Sequence, residues 1–189
     1  LQALFEKEES ITNTLGMVMT WIPTGKYRVA ACEVTQADYE GVASANPSKF
    51  KGARRPVESV TLGDAVQFCR LLTEREQADG KLPKNYAYGL PTEAEWETYA
   101  AGTTLETAYV SYIGDRPSTT DVGRMPPNPL GLFDVRGNVW EWCSSGAARG
   151  GSYQSHEDYL NLAFRFVGTP EMKLEDIGFR IVLRQTGPR

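Results

Sequence analysis

The side chains able to do redox, metal or acid–base chemistry are few and widely spaced. The chain has one histidine, His156, and three cysteines, Cys32, Cys69 and Cys143. One imidazole cannot build a zinc site that needs two or three. A Ser-His-Asp or Cys-His arrangement would have to run through His156 alone. The cysteines are odd in number and far apart, so they spell neither a disulfide framework nor a CxxC pair. They read as ordinary buried thiols, since free cysteine behaves as a small core residue. Ser155-His156-Glu157-Asp158 sets a hydroxyl, an imidazole and two carboxylates side by side. Sequence neighbours point to opposite faces of a strand, and no oxyanion-hole signature accompanies them. That segment reads as a polar surface loop. Glu93, Glu95 and Glu97 crowd one helix start and read as capping and solvated charge, not as an acid/base pair.

The elements that must position these groups announce themselves by one grammar. Thr35 precedes Asp38, Thr61 precedes Asp64, and Thr92 precedes Glu95. In each case a hydroxyl caps an amide three residues on, while a carboxylate sits at the positive helix end. The spacing predicts helices over about 36–44, 62–77 and 93–100. The second carries an apolar stripe of Ala65, Phe68, Cys69 and Leu72 at helical spacing. Residues 17–22 and 27–31 read as a hairpin around Pro23-Thr24-Gly25. After Gly102, short apolar runs at 131–133, 139–142, 163–167 and 177–183 alternate with Gly, Pro, Asn and Ser clusters, the pattern of short strands in long loops. Helices come early and strands late, without βαβ alternation. The fold class is therefore α+β, one domain with a short antiparallel sheet, about three helices and long loops.

With 189 residues the chain is long enough for a full core without a staple. A net charge of −4 disfavours nucleic acid and anionic membranes as partners. No run approaches the apolar length of a membrane span, so direct membrane insertion is excluded as well. The opening LQALFEKEES lacks the order of a signal peptide and looks like a cut point in a longer chain. The absence of a disulfide framework is compatible with the cytoplasm; a surface setting stays open, as does the oligomeric state.

Nine strings in order are more particular than any of these patterns. They are NTLGM from Asn13, WIP from Trp21, EVTQADYE from Glu33, NPSKFKG from Asn46, RPVESVT from Arg55, LPTEAEWE from Leu90, PNPLGLFDVRGNVWEWC from Pro127, RGGSY from Arg149 and GFRIVL from Gly178. Together they resemble the formylglycine-generating enzyme (sulfatase-modifying factor) family, which has a C-type-lectin-like fold. The resemblance covers residues 12–184, leaving 1–11 as an extension or linker and 185–189 as a tail. It implies a site near RGGSY in which two cysteines bind copper(I) and oxidise a substrate cysteine to formylglycine. The matching positions here are Ser155 and Leu160. A soft, closed-shell ion needs thiolates, so the expectation is a pseudoenzyme without copper. The related sulfoxide synthases hold iron with three histidines, which one histidine cannot replace, and zinc is excluded by the same count.

Two expectations remain from the resemblance. The block DVRGNVWEW implies a structural calcium ion, with Asp134 and Glu141 giving carboxylates and Gly137 and Val139 giving carbonyls, the oxygen set calcium prefers. The alternative has Asp134 bonding turn amides and Glu141 paired to an arginine such as Arg180. The segment between RGGSY and GFR implies an exposed binding face carrying Tyr153, Gln154, Ser155, His156, Tyr159, Asn161, Phe166 and Met172. Rigid aromatics beside amides and hydroxyls suit recognition of a protein, peptide or glycan ligand. Phe164, Trp140 and Trp142 read as core. Relatives of this kind occur as domains attached to bacterial serine/threonine kinases or surface proteins, and as variable ligand-binding proteins of the diversity-generating retroelement type. All three readings, recognition module, variable binder and copper oxidase, stay distinct at this point.

Overall fold

The computed structural model describes residues 1–108 and 117–187. Among these residues the chain forms four α-helices, nine strands and two short 3-10 turns. Three helices start at the threonine–carboxylate pairs. Thr35, Thr61 and Thr92 accept from the amides of Asp38, Asp64 and Glu95, and each carboxylate returns to the cap amide. Two otherwise orphaned donors are satisfied at each start. Helices α2 (Gln36–Ala43), α3 (Leu62–Ala78) and α4 (Glu93–Ala100) follow. The buried face of α3 carries Ala65, Phe68, Cys69 and Leu72, as the periodicity predicts, and Glu76 besides. A fourth helix, α1 (Gln2–Glu6), stands where the sequence reads as a linker, with Phe5 as its buried residue.

Strands β1 (Ile11–Thr12), β2 (Val18–Ile22), β3 (Tyr27–Ala30), β4 (Tyr86–Gly89) and β9 (Val182–Gln185) make an antiparallel sheet in the order β1-β2-β3-β9-β4. Its residues alternate between two cores. Met19, Ala30, Tyr88 and Leu183 join the cluster around Phe68 and Leu72, while Ile22, Tyr27, Val29 and Val182 join the cluster around Trp96 and Tyr99. Burying each such large side chain contributes about 1.5–3 kcal/mol. The outer edge of β4 is closed by α3, because Tyr88 N–H donates to Thr73 Oγ1 at 3.0 Å and Gln77 Nε2 donates to Tyr86 O at 2.9 Å. Edge pairing with another chain is thereby blunted.

The second sheet contains β5 (Trp140–Trp142), β6 (Ala147–Arg149), β7 (Phe166–Val167) and β8 (Ile177–Gly178), in the order β7-β6-β5-β8. It is mixed, since β5 and β8 run parallel, and it stands beside the antiparallel sheet that the sequence predicts. The run 177–183 is not one strand: its first two residues pair with β5 and its end joins the other sheet. Gly178 permits the crossing, because a Cβ there would lie 2.3 Å from Val57 O. Residues 131–133 form no strand. Among the described residues no helix is long and apolar enough to cross a membrane.

Candidate functional site

The positions matched to the catalytic cysteines converge on one glycine. Gly151 sits at φ +78°, and a Cβ there would lie 2.5 Å from Leu160 Cδ2 and 3.4 Å from Ser155 Cβ. Both side chains are buried. Ser155 Oγ accepts from the Ser152 amide at 2.8 Å and lies 3.3 Å from Ser152 Oγ, which donates to Asp176 Oδ2 at 2.8 Å. The hydroxyl therefore closes a turn. Leu160 ends a 3-10 turn, Glu157–Leu160, whose N-cap is His156. His156 Nδ1 lies 3.4 Å from the Asp158 amide and 3.1 Å from the Asp158 carboxylate, so it contacts one or the other according to its tautomer. The true thiols lie elsewhere, and burial pushes Cys32 and Cys69 up to about 12 and Cys143 higher still. A reactive or metal-binding thiol needs the opposite shift.

The calcium set meets a different occupant. Glu141 Oε1 accepts from Arg180 Nε at 2.9 Å and Nη2 at 2.8 Å, and Oε2 accepts from Trp96 Nε1 at 3.0 Å and Tyr99 Oη at 3.3 Å. Arg180 is fully buried and also donates to the carbonyls of Ala30, Ala31 and Phe133. Asp134, at φ 53°, accepts the Gly123 amide on Oδ2. Gly137 spends its own N–H on Gly150 O, and the Val139 side chain is in the core. A divalent ion on Glu141 would stand beside the buried Arg180 guanidinium and compete with the four hydrogen bonds its carboxylate accepts. The ion pair is what positions β5 against the other sheet. Sequence reasoning misses Glu33, whose Oε1 accepts from Asn138 Nδ2 at 3.0 Å while Oε2 has no partner. Asp134 Oδ1 is likewise unpartnered. Burial, and then the charge of Asp134, holds Glu33 well above the carboxylate range; burial raises Asp134 too. Among the described residues, no group of three or more His, Cys, Asp or Glu side chains is arranged to hold a metal.

The expected binding face divides. Tyr153 is 1% exposed, with its ring against Phe50 and its hydroxyl toward Glu175, so it packs and does not present itself. Ser155 is withdrawn by its turn. Gln154, His156, Tyr159 and Asn161 are exposed, and Phe166 and Met172 are half-buried. Trp140 lies under Phe164 and Phe166, each 5.7 Å away between ring centroids, and Tyr159 stands edge-on to Phe164 at 4.9 Å. Met172 folds back so that its sulfur and Phe166 share the space above Gly168. The result is one aromatic ridge from Tyr159 to Phe166, beside the edge strand β7, where Val167 is 68% exposed. Leu162, two residues before Phe164, packs instead against the other core. Glu93 is no idle solvated charge: it bonds Arg165, buried Arg149 and Ser145, and these hold its carboxyl at about 2, Arg165 foremost. The ladder ties the ridge to α4.

A family model described as "Sulfatase-modifying factor enzyme 1-like domain" matches residues 10–185. A chaperone protein, LppX, of Paenibacillus barcinonensis is 29% identical over 194 aligned positions, covering 74% of this chain and 67% of its own. The serine/threonine-protein kinase pkn1 of Chlamydia pneumoniae is 32% identical over 68% of this chain and 24% of its own. The formylglycine-generating enzyme of Streptomyces coelicolor is 30% identical over 66% of this chain and 51% of its own. The chain thus spans about a quarter of that kinase and half of that enzyme. Among solved structures, Treponema denticola variable protein 1 superposes with a TM-score of 0.72 at 26% identity, covering 82% of this chain and 84% of its own. CarF does so with a TM-score of 0.69 at 25% identity, covering 92% and 95%.

Proposed function

Because the chain belongs to the sulfatase-modifying factor enzyme 1-like family, we propose that it keeps the family scaffold as a non-catalytic recognition module. One observation carries this reading. The two positions matched to the copper-binding cysteines hold Ser155 and Leu160, both buried, the first committed to a turn and the second to packing. Neither a hydroxyl nor an alkyl group ligates copper(I). The ridge of Tyr159, Phe164 and Phe166 is the contact surface, with Gln154, His156, Asn161 and Met172 around it. Rigid rings over a packed base give contact area at small entropic cost. The ligand is a protein, peptide or glycan. The likeness to a chaperone and to a kinase favours a polypeptide, and the match to part of a kinase supports the role of a domain in a larger bacterial protein.

A second reading, a variable ligand-binding protein, draws support from the likeness to the Treponema variable protein. It uses the same ridge and differs in that substitutions among copies would concentrate between Gly151 and Gly178. The test is an unbiased pull-down with wild type and a Tyr159→Ala/Phe166→Ala variant. Loss of specific partners from the variant is expected; equal recovery of every partner would remove the ridge as the contact surface.

A further inference from the structure

Residues 1–9 lie over the five-stranded sheet as a strap, and the strap is held in an unusual way. Arg28, 1% exposed on β3, donates from Nη2 to Phe5 O at 3.1 Å and Lys7 O at 2.6 Å, and from Nε to Glu9 O at 2.8 Å. These are alternate residues, so one guanidinium reads main-chain carbonyls at i, i+2 and i+4. Tyr86 Oη donates to Phe5 O as well, at 3.1 Å. The side-chain anchor is Phe5, whose ring lies 5.2 Å from that of Tyr86, while Trp21 covers the guanidinium at 5.2 Å. Main-chain recognition with one aromatic anchor is how peptide grooves work.

The fit is loose. Cavities of about 220 and 320 Å³ flank the strap, and Phe5 lines both. The Trp21 indole N–H, at the first cavity, is buried without an acceptor. No side chain caps α1, and Leu1 and Leu4 point outward. Well-packed segments leave few voids and few orphaned donors. Lifting the strap also hydrates the guanidinium and the indole N–H, so opening strands no buried charge. These features place the strap among the segments that open before the core does.

We propose that the Arg28–Tyr86–Trp21 groove is a peptide-binding site that the chain's own residues 5–9 occupy and gate. Its trans ligand is a peptide with an aromatic residue in the Phe5 seat, at the end of a helical turn, and carbonyls at alternate positions from there on. The groove shares no residue with the Tyr159–Phe166 ridge, and it stands or falls apart from the function assigned to that ridge. Apparent affinity for a trans peptide equals the intrinsic affinity scaled by the fraction of open strap. Loosening the strap therefore tightens trans binding.

The experiment uses the full chain and two readouts. Trypsin cuts after Lys7 when its carbonyl is free of Arg28, so the cleavage rate follows the open fraction when reclosing is fast. Phe5→Ala is expected to speed that cut at least tenfold without speeding cleavage within α3. A labelled peptide of residues 1–9 is expected to bind the Phe5→Ala chain at least tenfold more tightly than wild type, and to lose that binding when its own aromatic is alanine. Phe5→Leu, which keeps the seat filled, gives an intermediate rate and guards against a folding failure. Equal cleavage of Lys7 in wild type and both variants, or equal peptide affinity for wild type and Phe5→Ala, overturns the proposal.

Discussion

Ser155→Ala tests whether the residue at the first thiol position has become part of the frame. The hydroxyl accepts from the Ser152 amide at 2.8 Å and lies 3.3 Å from the Ser152 hydroxyl, and the residue is 6% exposed. Removing it leaves a buried N–H without an acceptor, which costs about 1–3 kcal/mol. For a domain of this length each kcal/mol moves Tm by roughly 2–4 °C, so a fall of about 2–12 °C is expected. Ser155→Cys should fall between wild type and alanine, because sulfur is a weak acceptor of similar placement. Calorimetry on the three proteins, with urea melts to check for an unchanged m-value, makes the comparison. An alanine variant that melts within a degree of wild type would refute the reasoning. The hydroxyl would then be a passenger, and the loss of the thiol would need another account.

Two carboxylates should give opposite pH dependences. Glu33 has a raised folded-state pKa, through burial first and then the charge of Asp134. The folded protein therefore holds that proton more tightly than the unfolded chain, and the contribution is present at acid pH and lost as pH rises through the folded value. Glu33→Gln keeps an acceptor for Asn138 and should gain stability over wild type between pH 5 and pH 8; a pH-independent difference would contradict this. Glu93 is depressed from 4.5 to about 2, chiefly by its hydrogen bond with Arg165. Its contribution is full above the unfolded value and disappears as pH falls from 4.5 toward 2. Glu93→Gln should flatten that limb of the stability curve, and an unchanged acid limb would show that the Arg149–Arg165 ladder does not depend on the charge.

Local chemistry made the helices legible. The Thr-x-x-Asp and Thr-x-x-Glu boxes satisfy their own amides, so α2, α3 and α4 begin where the boxes stand. Strand β6 was hidden because Ala147–Arg149 sits among Ser and Gly and lacks a β-branched or alternating pattern of its own, being held by pairing with the neighbouring Glu141–Trp142 and the more distant Phe166–Val167. The break in the run 177–183 has the same origin, since Arg180 must turn inward to meet Glu141. That pairing was readable as the alternative to calcium, and the geometry shows it formed. Tyr153 and Ser155 lie in the segment expected to be exposed, but both are buried in it. Their burial follows from a turn closed by one serine hydroxyl, which no periodicity encodes. The strap escaped for a related reason: three of its bonds are main-chain carbonyls to a side chain 19 to 23 residues away.

The central claim is that this member of the family grips without oxidising. The purified chain should be incubated with copper(I), oxygen and a cysteine-bearing peptide, and the peptide followed by mass spectrometry. The account expects the peptide thiol to remain a thiol, at the level of the protein-free control. Turnover of that cysteine to the formylglycine aldehyde, dependent on the chain, would contradict it.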